Sequence, residues 1–162
     1  PQRFSFLSHC LPGGEVIVGD ARLSLERQQP GATDLLVVDA FSSDSVPMHL
    51  LTREAFDGYR RHLARDGLLL VHLSNRYLSL EPVVARAAER GWTARLLHFR
   101  ADDRERSQYD FSSFWVAMSP SPETIARLEA SAPDAAWRPL QARDGAREWT
   151  DDYASIIPIL KW

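Results

Sequence analysis

Asp34-Leu35-Leu36-Val37-Val38-Asp39-Ala40-Phe41-Ser42-Ser43-Asp44-Ser45-Val46-Pro47 is the stretch on which the reading of this chain turns. Four consecutive leucine and valine residues between two aspartates have the pattern of a strand covered on both faces of a parallel sheet. Ligands of open α/β sheets sit just beyond the carboxyl ends of such strands. Asp39 and Asp44 are therefore expected to face a crevice. Two acids in that position suit a cationic substrate, or an amine that must lose a proton before it can attack.

On either side of this run, strands alternate with helices. Residues 15–19 are expected as a short strand, 23–28 as a helical patch and 35–39 as the second strand. Thr52 is a candidate N-cap with Glu54 in the first turn. Phe56, Tyr59 and Leu63 recur at helical spacing, and Asp66-Gly67 is expected to close that helix. A third strand is expected over 67–73 and a helix over 80–90, with Val83, Val84 and Ala87 inward and Gly91 as its stop. Strands over 92–99 and 114–118 follow, the charged segment 100–106 lying between them. Ser121-Pro122-Glu123 then opens another helix, and Thr150-Asp151-Asp152 is read as the cap of a short helix ended by Pro158. This alternation predicts an α/β, Rossmann-like domain over 1–162 with a mostly parallel sheet.

Composition excludes several classes. With 162 residues and 44% hydrophobic content the chain is long and apolar enough for one packed core. A net charge of −3 without a block of like charge argues against a nucleic-acid surface built on phosphate contacts. Cys10 is the single cysteine, so there is no internal disulfide or cysteine metal cluster, and a reducing cytoplasm is the expected setting. No apolar run reaches the length of a membrane span, so membrane contact by this chain is not expected.

Three further patterns accompany the opening stretch: Gly19-Asp20-Ala21-Arg22, Asp66-Gly67 before a strand, and Trp149-Thr150-Asp151-Asp152-Tyr153. Together the chain resembles the second half of a spermidine synthase-like protein, an aminopropyltransferase on the class I methyltransferase fold. The resemblance implies a catalytic role for Asp39, substrate contacts for Asp44, Ser42, Ser43 and Tyr109, and donor-adenine contacts for Asp20 and Ala21. It also implies decarboxylated S-adenosylmethionine or S-adenosylmethionine as donor substrate, a small amine as acceptor, no metal and no tightly held cofactor. Three departures stand beside it. Ala40 and Phe41 separate Asp39 from the serines, where the family usually reads Asp-Ser-Ser-Asp. A later proline-serine-glycine motif is represented only by Ser112-Ser113. None of the eight glycines forms the Gly-x-Gly-x-x-Gly loop that cradles a nucleoside donor, so the N-terminal Gly-rich βαβ portion is expected to be missing.

Each residue also has a structural alternative. Asp39 can cap a turn through its side chain, Asp44 can open a helix, and Asp20 can cap the 23–28 patch. His72, within an apolar strand, reads as a satisfied core histidine. Asp151 and Asp152 read as a helix cap, and Trp149 and Trp162 as core or interface aromatics. Three functions remain open: an aminopropyltransferase completed by residues outside the chain, an S-adenosylmethionine-dependent methyltransferase, and a non-catalytic association module. A central-type strand at 35–39 without its usual neighbour leaves an open edge, for which a homodimer is the expected remedy.

Overall fold

The computed structural model describes residues 9–10, 12–40, 46–99 and 112–161. Helix α1 (Ala21–Glu26) precedes strand β1 (Thr33–Val38). Then come α2 (Arg53–His62), β2 (Leu63–His72), α3 (Glu81–Ala88), β3 (Thr93–Phe99), β4 (Ser113–Ser119), α4 (Pro122–Ser131) and the two-residue β5 (Trp137–Arg138). The five strands form one sheet in the order β1-β2-β4-β3-β5.

The expected mostly parallel sheet is not what forms. Only β1 and β2 pair in parallel, with Leu36 opposite Leu69 and Val38 opposite Val71. Strand β4 runs antiparallel to both β2 and β3, and β5 antiparallel to β3. β1, β2 and β3 thus share one direction, but the reversed β4 is inserted between β2 and β3. The alternation of strands and helices hid this because parallel neighbours need a long crossover, usually a helix. β3 and β4, consecutive in the chain, instead pair antiparallel along their length.

β1 departs from expectation as well. It lies at the end of the sheet, and Leu35 and Val37, on one face of the strand, remain 55% and 48% exposed. Val38 is buried and Leu36 packs on the core. An apolar run alone cannot separate a central strand from an edge strand. The short strand expected over 15–19 does not form: no strand is assigned to that segment, and Val16, Ile17 and Val18 are exposed.

The helices follow their caps more closely. Thr52 Oγ1 accepts the Ala55 N–H, while Ala55, Phe56 and Tyr59 bury one face of α2. Helix α2 stops at His62, before the expected Asp66-Gly67, and β2 begins at once. Gly67 serves a different purpose: a Cβ there would lie 2.8 Å from the Thr33 carbonyl oxygen and 3.0 Å from that of Ala64. It allows close backbone approach where the β1–β2 register shifts. Helix α3 carries Pro82 in its first turn and buries Val83, Val84 and Ala87; Gly91, at φ +85°, turns the chain beyond it. Trp149 and Phe56 are among the largest fully buried side chains. The tail has no helix starting at Thr150. Thr150 and Tyr153 bridge across a tight turn, and Pro158 lies inside a 3₁₀ segment, Ile157–Ile159.

Candidate functional site

Parallel pairing of β1 with β2 brings their carboxyl ends to one place. Val38 lies opposite Val71, so the next residues, Asp39 and His72, are neighbours. His72 Nδ1 is 2.8 Å from Asp39 Oδ1, and His72 Nε2 is 2.6 Å from Ser74 Oγ. The Phe114 backbone N–H donates to the same Ser74 Oγ at 2.9 Å, and the Leu73 N–H donates to the Phe114 carbonyl at 2.8 Å. The His72 ring stacks on Trp115 at 4.7 Å between centroids and 19° between planes, as their direct pairing across β2 and β4 requires. His72 is therefore not the core histidine expected from its apolar strand. It is half-buried and reaches the strand-end acid.

Asp39, whose side chain is 53% exposed, borders a cavity of about 230 Å³ that is also lined by Ala21, Arg22, Leu36, Leu50 and Tyr59. The cavity brings α1 and the end of β1 together, so Ala21 and Asp39 share it. Tyr59 also lines it, and its buried hydroxyl donates to the Leu50 carbonyl at 3.0 Å. Burial pushes the Tyr59 phenol well above its ordinary range, so it remains a neutral donor.

Asp20 faces a different space. Its carboxylate caps α1 by accepting the Leu23 N–H at 3.0 Å and lies 3.2 Å from His49 Nε2. The Leu23 hydrogen bond is the main cause holding this carboxyl below its usual value. Asp20 lines an open cleft of about 740 Å³ together with Met48, His49, Asp151 and Tyr153. Arg22 borders both spaces. Its two terminal nitrogens donate to the two carboxylate oxygens of Asp151 at 2.7 and 2.8 Å, and Thr52 Oγ1 donates to Asp151 Oδ1 at 2.8 Å. The Arg22 hydrogen bond, more than the Thr52 bond, lowers Asp151 to a pKa of about 2. Asp151 is thus a tether between the tail, α1 and the start of α2, where the sequence reading made it a helix cap.

Ser42, Ser43, Asp44 and Tyr109 lie outside the described residues. Sequence reasoning missed His72, Ser74 and Arg22 as members of the site. The available signal for His72 was positional: a polar residue closing an apolar strand, one strand after Asp39 closes another.

No family model and no curated protein matches the sequence. Among solved structures that resemble it is a probable spermidine synthase from Corynebacterium glutamicum, with a TM-score of 0.53 at 18% identity over 88% of this chain and 61% of that one. The likeness is one of fold. The domain is a mixed α/β unit of Rossmann-like fold, and the chain spans 61% of the length of that probable spermidine synthase. MNMC2 from Aquifex aeolicus is also similar, with a TM-score of 0.45 at 16% identity over 76% of this chain and 40% of that one.

Proposed function

We propose that the chain forms the acceptor side of an aminopropyltransferase that moves an aminopropyl group from decarboxylated S-adenosylmethionine to a diamine. The amine nitrogen attacks the carbon bound to the sulfonium sulfur, the carbon–sulfur bond breaks with its electron pair going to sulfur, and methylthioadenosine leaves. The attacking amine must be neutral, and Asp39 takes the proton it sheds. A sulfonium is already a good leaving group, so alignment and proton removal are the tasks left to the protein. Asp44, Ser42, Ser43 and Tyr109 hold the acceptor in this reading, and Asp20 with Ala21 contacts the donor's adenine. The ribose and the rest of the donor are held by residues outside this chain, since it has no Gly-rich loop.

The observation that carries the reading is the solvent-accessible Asp39 carboxylate at the carboxyl end of β1, opening onto the cavity that Ala21 also lines. The sheet order suits a methyltransferase equally; an acid at this position favours an amine acceptor. Kinetics of Asp39→Asn in the complete protein test it. Turnover of a linear diamine should fall by about 100-fold or more, with the donor KM little changed. Near wild-type turnover would leave Asp39 as a turn cap.

A further inference from the structure

Ser74 and Phe114 bear on which way the hydrogen bonds at Asp39 run, since the Phe114 N–H takes one of the two acceptor positions of Ser74 Oγ. The Phe114 N–H donates to Ser74 Oγ, so that oxygen already accepts, and its own proton is available for His72 Nε2 at 2.6 Å. An Nε2 that accepts carries no proton, which leaves the proton of a neutral ring on Nδ1, 2.8 Å from Asp39 Oδ1. The Trp115 stack restrains the ring about its remaining axis. Contacts from Asp39 beyond β1, Ser74 beyond β2 and Trp115 in β4 therefore orient one imidazole, and it points a donor at one oxygen of the carboxylate.

We infer that His72 is a positioning residue for Asp39, which rests on the aminopropyltransferase reading: by engaging Oδ1 it holds the carboxylate so that Oδ2 receives the proton of the attacking amine. An aspartate side chain that is half exposed otherwise samples several rotamers, and a base acts only within hydrogen-bond reach of the proton it takes. Ser74 acts one step further out, by keeping Nε2 an acceptor.

Two measurements test this. Two-bond proton–nitrogen NMR of the imidazoles in this chain, with the His72 signal assigned by its loss in His72→Phe, should find the proton on Nδ1 and a bare Nε2. A proton on Nε2, or averaging between the two tautomers, overturns the inference. In the complete protein, with decarboxylated S-adenosylmethionine and a linear diamine, His72→Phe keeps an aromatic stack on Trp115 but loses both hydrogen bonds. It should lower kcat about tenfold with little change in the diamine KM. His72→Asn, whose side-chain amide donates from near the Nδ1 position, should recover most of that loss. Unchanged kcat in His72→Phe overturns the positioning role even if the tautomer is as inferred. Full activity in Asp39→Asn would instead overturn the transferase reading, with the NMR result still standing.

Discussion

Arg22 and Asp151, 129 residues apart, meet in a two-pronged ion pair at 2.7 and 2.8 Å. The pair joins α1 to the C-terminal tail beside the open cleft that Asp20 lines, with Arg22 also bordering the cavity of Asp39, and Thr52 Oγ1 adds a third bond to the same carboxylate. A planar guanidinium fits a carboxylate with both prongs, which gives direction as well as attraction.

Folding lowers the Asp151 pKa from 3.8 to about 2. A depressed native pKa means that the unfolded state takes up the proton first as pH falls. The stabilisation is therefore complete above the unfolded value and is lost as pH drops from 3.8 toward about 2. Asp151→Asn should cost about 0.5–1 kcal/mol at neutral pH, the modest size reflecting solvent screening at a side chain 43% exposed. The variant should also lose less stability than wild type in that acid window. Urea denaturation of both proteins at pH 7 and pH 3 checks the sign, and equal pH dependence would show that the pair contributes nothing.

Gly67→Ala places a methyl group 2.8 Å from the Thr33 carbonyl oxygen and 3.0 Å from that of Ala64. Backbone on both sides cannot move aside as a flexible side chain would, so roughly 1–3 kcal/mol of stability should be lost. A thermal midpoint within error of wild type would mean that β1 and β2 separate freely at this point.

Asp20→Ala removes the α1 cap and the His49 contact. Under the proposed function it should raise the donor KM in the complete protein while kcat holds. A fall in kcat at unchanged KM would place Asp20 in the chemical step instead.

Methylthioadenosine titrated into this chain alone should give little or no heat, because the Gly-rich backbone donors that cradle such nucleosides are missing. Stoichiometric, tight binding in calorimetry would show that the described cavities suffice for the donor.

Much of the fold was legible locally. Thr52, Gly91 and Pro122 mark helix ends because caps, left-handed glycines and first-turn prolines act within a few residues. What depends on distant partners was not. The direction of β4 is set by neighbours far along the chain. Gly67 reads as a helix stop unless the approach of Thr33 is known, and the edge position of β1 leaves no trace in its composition. The candidate site divides in the same way. Asp39 was found because an acid closing an apolar strand is a sequence pattern. His72 was passed over because its importance comes from the β1–β2 register, and Asp151 because Arg22 lies at the other end of the chain.

Among the described residues no strand pairs with the outer side of β1, and Leu35 and Val37 are exposed; this side is the proposed contact of a homodimer, since such an apolar edge invites another strand. Sedimentation at micromolar concentration should give a dimer that Val37→Lys returns to monomer. A wild-type monomer excludes it.

Aminopropyl transfer itself is decided by the product. The complete protein is incubated with a linear diamine and either decarboxylated or ordinary S-adenosylmethionine, and the products are identified by mass spectrometry. The diamine should be extended by one aminopropyl group, with an equal amount of methylthioadenosine, from the decarboxylated donor alone and not in Asp39→Asn. A methylated acceptor formed from ordinary S-adenosylmethionine, with no aminopropyl product from the other donor, would contradict it.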